Sequence, residues 1–119
     1  MPGSLTGLGG ASGILLGSNS TVTHNTATGN GLNGISADQR SLVTSNTAND
    51  NGRNGIVVDA RTTVSFNTAN NSDDGIEAFC PATITHNTAS GNDGLDIKPI
   101  GTGCVIQNNN TTPPSPSAP

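Results

Sequence analysis

The chain has no tryptophan and no tyrosine, and two phenylalanines are its only aromatics. Only 30% of its residues are hydrophobic. In a chain without internal order, so little apolar surface would not offset the entropy lost on folding. Basic residues are scarce: four Lys and Arg stand against eight Asp and Glu, for a net charge of −4. Nucleic acid, which is bound through clustered Lys and Arg, is therefore not an expected partner. No apolar run approaches the roughly 20 residues of a spanning helix, so no membrane span is expected. The opening MPGSLTGLGG lacks the basic start and apolar centre of a signal peptide. Helical periodicity is absent throughout, and the abundant Asn, Gly and Thr are poor helix formers.

What the chain does have is repetition. The stretch TVTHNTATGN at 21–30 returns as LVTSNTANDN at 42–51, TVSFNTANNS at 63–72 and TITHNTASGN at 83–92. Val22, Val43, Val64, Ile84 and Val105 step by 21, 21, 20 and 21 residues, and Asn25, Asn46, Asn67, Asn87 and Asn108 keep those steps. A second column runs in the same register: Gly-Ile at 13–14, 34–35, 55–56 and 75–76, with Gly94-Leu95 as its fifth member. Each unit holds three short extended runs. In the first, alternation turns Ile14, Ile35, Ile56, Ile76, Leu95 and Ile97 to one face and Leu15, Ser36, Val57, Glu77 and Asp96 to the other. The second run centres on the Val/Ile column. The third is Asn-Thr-Ala, with Ala27, Ala48, Ala69 and Ala89 inward.

Three strands and three turns in about 21 residues fit one coil of a parallel β-helix. A leucine-rich repeat has similar length but needs a Leu lattice that is missing, and the calcium-binding nonapeptide G-G-x-G-x-D is missing too. The expected fold is thus a single all-β domain: a parallel β-helix (β-solenoid) of about five coils of 20–21 residues across 13–110. Residues 1–12 form an N-terminal segment or partial coil, and the Pro/Ser-rich 111–119 form a tail or linker. No coil can bury its apolar edge alone, which is why the same ten residues recur. Asn suits the sharp turn because it tolerates left-handed backbone, and stacked amides can bond along the axis as a ladder. Asn30, Asn51, Ser72 and Asn92 form a second, less regular column.

These GI…NT…N…NGI coils resemble the right-handed parallel β-helix repeats of the pectin-lyase-like superfamily. The resemblance implies a right-handed coil and a secreted or cell-surface protein of bacterial type. That superfamily includes polysaccharide lyases, hydrolases and plain scaffolds, so the fold alone does not select an activity. The expected role is a non-catalytic scaffold or glycan-contacting module, with polysaccharide as the partner.

Two sets of residues carry alternative chemistry. In the register above, Asp73 falls with Asp93 and Glu77 with Asp96, with Asp74 alongside. Carboxylates gathered on neighbouring rungs repel unless a cation intervenes, and calcium favours such oxygen clusters. The resemblance to pectate lyases, whose calcium-binding acids occupy the outer face of this sheet, points the same way. Asp73, Asp74, Glu77, Asp93 and Asp96 are therefore a candidate calcium set. A lyase would add Lys98 as base, and a hydrolase would use Glu77 and Asp96 as its two carboxylates. The repeated Thr-x-Thr of the second run resembles the ice-binding faces of β-solenoid antifreeze proteins, although Leu42 interrupts one Thr column and Ile106 ends the other. Asp38–Arg40 and Asp59–Arg61 read as repeated pairs along a turn, and His24 and His86, about 14 Å apart, are too distant to share a metal. Cys80 and Cys104 leave two alternatives: a bridge pinning the last coil, or two partly buried thiols.

Overall fold

The computed structural model describes residues 3–6, 12–70 and 72–111, and in it every strand pairs in parallel. The tail expected at 112–119 and most of the expected N-terminal segment lie outside the described residues. Strand β1 (Gly3–Thr6) is followed by a coil of β2 (Ile14–Leu16), β3 (Thr21–Thr23) and β4 (Asn25–Thr28). The next two coils contribute β5 (Ile35–Ala37) and β6 (Leu42–Thr44), then β7 (Ile56–Val58) and β8 (Thr63–Ser65). The fourth carries β9 (Ile76–Phe79), β10 (Thr83–Thr85) and β11 (Thr88–Ala89), and the fifth β12 (Ile97–Ile100), β13 (Val105–Gln107) and β14 (Asn110–Thr111).

Equal positions of successive coils stack into three faces. The first sheet has the order β2-β5-β7-β9-β12 and the second β3-β6-β8-β10-β13. The third face joins β1 to β4 and β11 to β14, linked by single bridges through Thr26, Thr47, Thr68 and Thr88. Because β1 lies beside β4, with Gly3 opposite Asn25, the stack begins within the segment expected as a partial coil.

The interior replaces large side chains with stacks of small ones. Ile14, Ile35, Ile56, Ile76 and Ile97 form one buried column, Val22, Val43, Val64, Ile84 and Ile106 a second, and Ala27, Ala48, Ala69 and Ala89 a third. Burial of each Ile or Val contributes about 1.5–3 kcal/mol, so repetition supplies what aromatics do not. The glycine of the Gly-Ile motif is a matter of space. A Cβ on Gly34 would lie 2.6 Å from Asn51 Nδ2 and 2.7 Å from the Gly55 carbonyl.

The asparagine ladder is continuous. Nδ2 of Asn25, Asn46, Asn67 and Asn87 donates to Oδ1 of the Asn one coil on, at 2.9–3.0 Å, and the backbone N–H of each donates to the same oxygen. The ladder Asn are not the left-handed residues, contrary to expectation. The residue before each takes that conformation: His24, Ser45, Phe66, His86 and Asn108, with φ of 56–60°. The chain turns there, and the Asn then points inward to bond along the axis. A second left-handed column, Asn19, Arg40 and Arg61, marks the preceding corner.

The fifth coil departs from the expected register. Ile106, not Val105, stacks on Ile84, and Asn109, not Asn108, completes the ladder. Val105 is exposed and Ile106 buried, because a slip of one residue exchanges the two faces of a strand. The Gly-Ile column likewise continues as Asp96-Ile97 and not Gly94-Leu95, since Ile97 pairs with Ile76. Leu95 stacks instead on Asp74, whose carboxylate accepts its N–H.

Candidate functional site on the outer faces

The first sheet's outer face runs from apolar to charged along the axis. Leu15, Ser36, Val57, Glu77 and Lys98 occupy successive rungs of one outward column. Lys98 thus stands opposite Glu77, the place expected for Asp96. Asp96 turns inward, is 2% exposed, and accepts a hydrogen bond from Asn92 Nδ2 at 2.8 Å. It occupies the glycine column, and β12 is the last described strand of that sheet, so no described rung crowds its Cβ. The pair expected for hydrolysis, Glu77 and Asp96, therefore lies on opposite faces of the sheet.

The remaining acids are dispersed or engaged in backbone contacts. Asp73 and Asp93 do occupy adjacent rungs and are both exposed. Asp74 instead continues a stack that the sequence did not advertise: the Asn33 carboxamide oxygen accepts the Asn54 N–H, that of Asn54 accepts the Asp74 N–H, and Asp74 Oδ1 accepts the Leu95 N–H at 2.8 Å. Its other oxygen lies 3.7 Å from Lys98 Nζ. Glu77 Oε2 accepts from Asn54 Nδ2 at 3.1 Å. Among the described residues, no three His, Cys, Asp or Glu side chains group as a metal set would. Among those residues, too, neither Asp38–Arg40 nor Asp59–Arg61 closes an ion pair; Asp59 Oδ1 accepts the N–H of Ala60.

Cys80 and Cys104 are joined by a disulfide across the first corner, with Cα atoms 4.9 Å apart. It ties the fourth coil to the fifth where the latter changes register. A shallow depression of about 180 Å³ lies beside it, lined by Arg61, Thr63, Pro81, Thr83, Gly103 and Val105 among others.

The second and third faces carry no Asp, Glu, Lys or Arg. None of the eight acidic or four basic side chains falls in residues 21–28, 42–49, 63–70, 83–90 or 105–111. On the second sheet the outward residues are Thr21 and Thr23, Leu42 and Thr44, Thr63 and Ser65, Thr83 and Thr85, then Val105 and Gln107. The columns thus end at Val105 and Gln107, because Ile106 faces the core. Beyond the second corner a further hydroxyl column runs through Thr26, Thr47, Thr68 and Thr88. A reading of Asn-Thr-Ala centred on its inward Ala leaves that column out. Phe66 and His86 stack at the same corner, their ring centroids 5.0 Å apart and their planes 12° from parallel.

A family model described as "Right handed beta helix region" matches residues 5–81. No curated protein and no solved structure matches the chain.

Proposed function

Given that the chain belongs to the right-handed β-helix family, we propose that it is a non-catalytic, extracellular or cell-surface solenoid that contacts polysaccharide through its outer faces. The observation that carries this reading is the segregation of charge. Every Asp, Glu, Lys and Arg is kept off the second and third faces, which instead present rows of Thr and Ser hydroxyls about 4.8 Å apart. Fixed, uncharged donors and acceptors at that spacing suit a hydroxylated polymer. The Cys80–Cys104 bridge supports placement in an oxidising compartment.

Co-sedimentation with insoluble neutral and uronate polysaccharides tests the proposal. The protein should be retained, and the polymer should be recovered at unchanged length. Release of shortened or unsaturated products would replace this reading with a lyase or hydrolase. Failure to sediment with any polymer, together with thermal hysteresis of a freezing solution, would move the function to the Thr array as an ice-binding face.

A further inference from the structure

The second corner places one left-handed residue per coil in the column His24, Ser45, Phe66, His86 and Asn108. Left-handed backbone is sterically disfavoured for a residue with a bulky side chain, a cost that glycine does not incur. Three of these five positions nevertheless carry rings, and Phe66 is 63% exposed. An exposed ring held in a strained conformation gains nothing from core packing.

The rings have a definite arrangement. Phe66 and His86 sit on adjacent coils with nearly parallel planes, and their 5.0 Å separation is close to one rung, so the two rings stack one above the other from coil to coil. One face of Phe66 is therefore turned to His86, and the other to the preceding coil, whose corner residue is the short Ser45. One coil further stands His24, with its Nδ1 2.8 Å from Thr23 Oγ1. Two rungs put His24 and Phe66 about 10 Å apart, which leaves a notch one ring deep with Ser45 as its floor. Hydroxyls border it on both sides: Thr44 and Ser65, bonded to each other at 3.3 Å, and Thr47 and Thr68 across the corner.

We propose that this notch is a subsite for one pyranose ring of a neutral polysaccharide. The sugar's C–H face lies against the exposed face of Phe66, attracted to the ring's negative π surface, and its hydroxyls engage Thr44, Ser65 and Thr68. An ionic ligand would find no Asp, Glu, Lys or Arg on these faces, and a purely apolar one would strip water from the flanking hydroxyls without replacing their hydrogen bonds. The subsite rests on the polysaccharide-contact reading above and narrows it to uncharged sugars.

Titration of the isotope-labelled full chain with neutral gluco- and manno-oligosaccharides, and with an oligogalacturonate, tests the subsite by NMR. Saturable shifts should centre on Ser45 and Phe66 and appear with at least one neutral series. Phe66→Ala should weaken binding about tenfold, the worth of a single ring-stacking interaction. Phe66→Trp should retain it. Ser45→Phe should fill the notch and abolish binding while the amide spectrum of the interior columns persists, since Phe66 already occupies the equivalent corner. Binding that ignores both Phe66→Ala and Ser45→Phe would overturn the subsite but leave the polysaccharide reading in place. Preference for the oligogalacturonate would overturn the neutral specificity, and no saturable shift with any sugar would overturn the subsite, with co-sedimentation then deciding the broader reading.

Discussion

The first four coils and the fifth are built by different means. In the first four, like residues meet in the main interior columns: Ile on Ile, Val on Val or Ile, Asn on Asn, with Gly leaving room for the next rung. In the fifth, Asp96 stands in the glycine column, the first corner is one residue longer, and a disulfide fixes what the repeat no longer does. Identity between neighbours is one way to hold a solenoid, and a covalent tie is another. The comparison teaches that the first is spread along the axis and the second is local.

Breaking each device should separate them. The largest effect is expected for Asn67→Ala. It removes the oxygen that accepts from both the backbone N–H and the side-chain amide of Asn46, takes one donor from Asn87 Oδ1, and frees the Val43 carbonyl. Unsatisfied buried groups cost about 1–3 kcal/mol each, so a loss of about 3–5 kcal/mol is expected in urea unfolding. A loss below about 1 kcal/mol would mean that the ladder is incidental to stability. Cys104→Ser comes next, at about 3 kcal/mol from the entropy of the released loop. Hydrogen exchange should show lost protection concentrated in β12 and β13 with β5 to β8 little changed; uniform loss would make the fifth coil part of the same cooperative unit.

Asp96→Ala sharpens the same contrast on a smaller scale. It deletes one of the two acceptors of Asn92 Nδ2, leaving the Ala69 carbonyl, and a destabilisation of about 1 kcal/mol is expected, with Asp96→Asn recovering part of it. Equal destabilisation by Asn and Ala would show that charge matters there more than hydrogen bonding. The smallest change should be favourable: Ser45→Gly removes a left-handed cost and should raise stability by up to about 1 kcal/mol in the same urea titration, partly offset by greater freedom of the unfolded chain.

How far the sequence revealed this structure follows the same division. The Val22, Val43, Val64 and Ile84 column and the Asn25, Asn46, Asn67 and Asn87 column were legible because neighbours with alternative residues would not fit. In the fifth coil, Val105-Ile106 and Asn108-Asn109-Asn110 offer adjacent residues of the same kind, so a slip by one leaves the pattern looking intact. A separate slip, of two residues at Gly94-Leu95, put Asp96 in the Glu77 column and created an acidic pair that the register does not contain. The left-handed corners were illegible for another reason: His, Ser and Phe do not announce that conformation as Gly would. The faces without Asp, Glu, Lys or Arg could have been found by mapping those residues onto the repeat before asking which acids meet.

The ladder also has a sense of direction. Between Asn25 and Asn109, every side-chain link runs from the amide nitrogen of one coil to the amide oxygen of the next, so the dipoles point the same way. Each polarises its neighbour, as in other chains of hydrogen bonds in a poorly polarisable interior. The solenoid is therefore a rod with unlike ends, one electrically a head and the other a tail. Any body that continued its interior stacking would have to approach in a single orientation, which makes a tail-to-tail continuation of the core the costly arrangement.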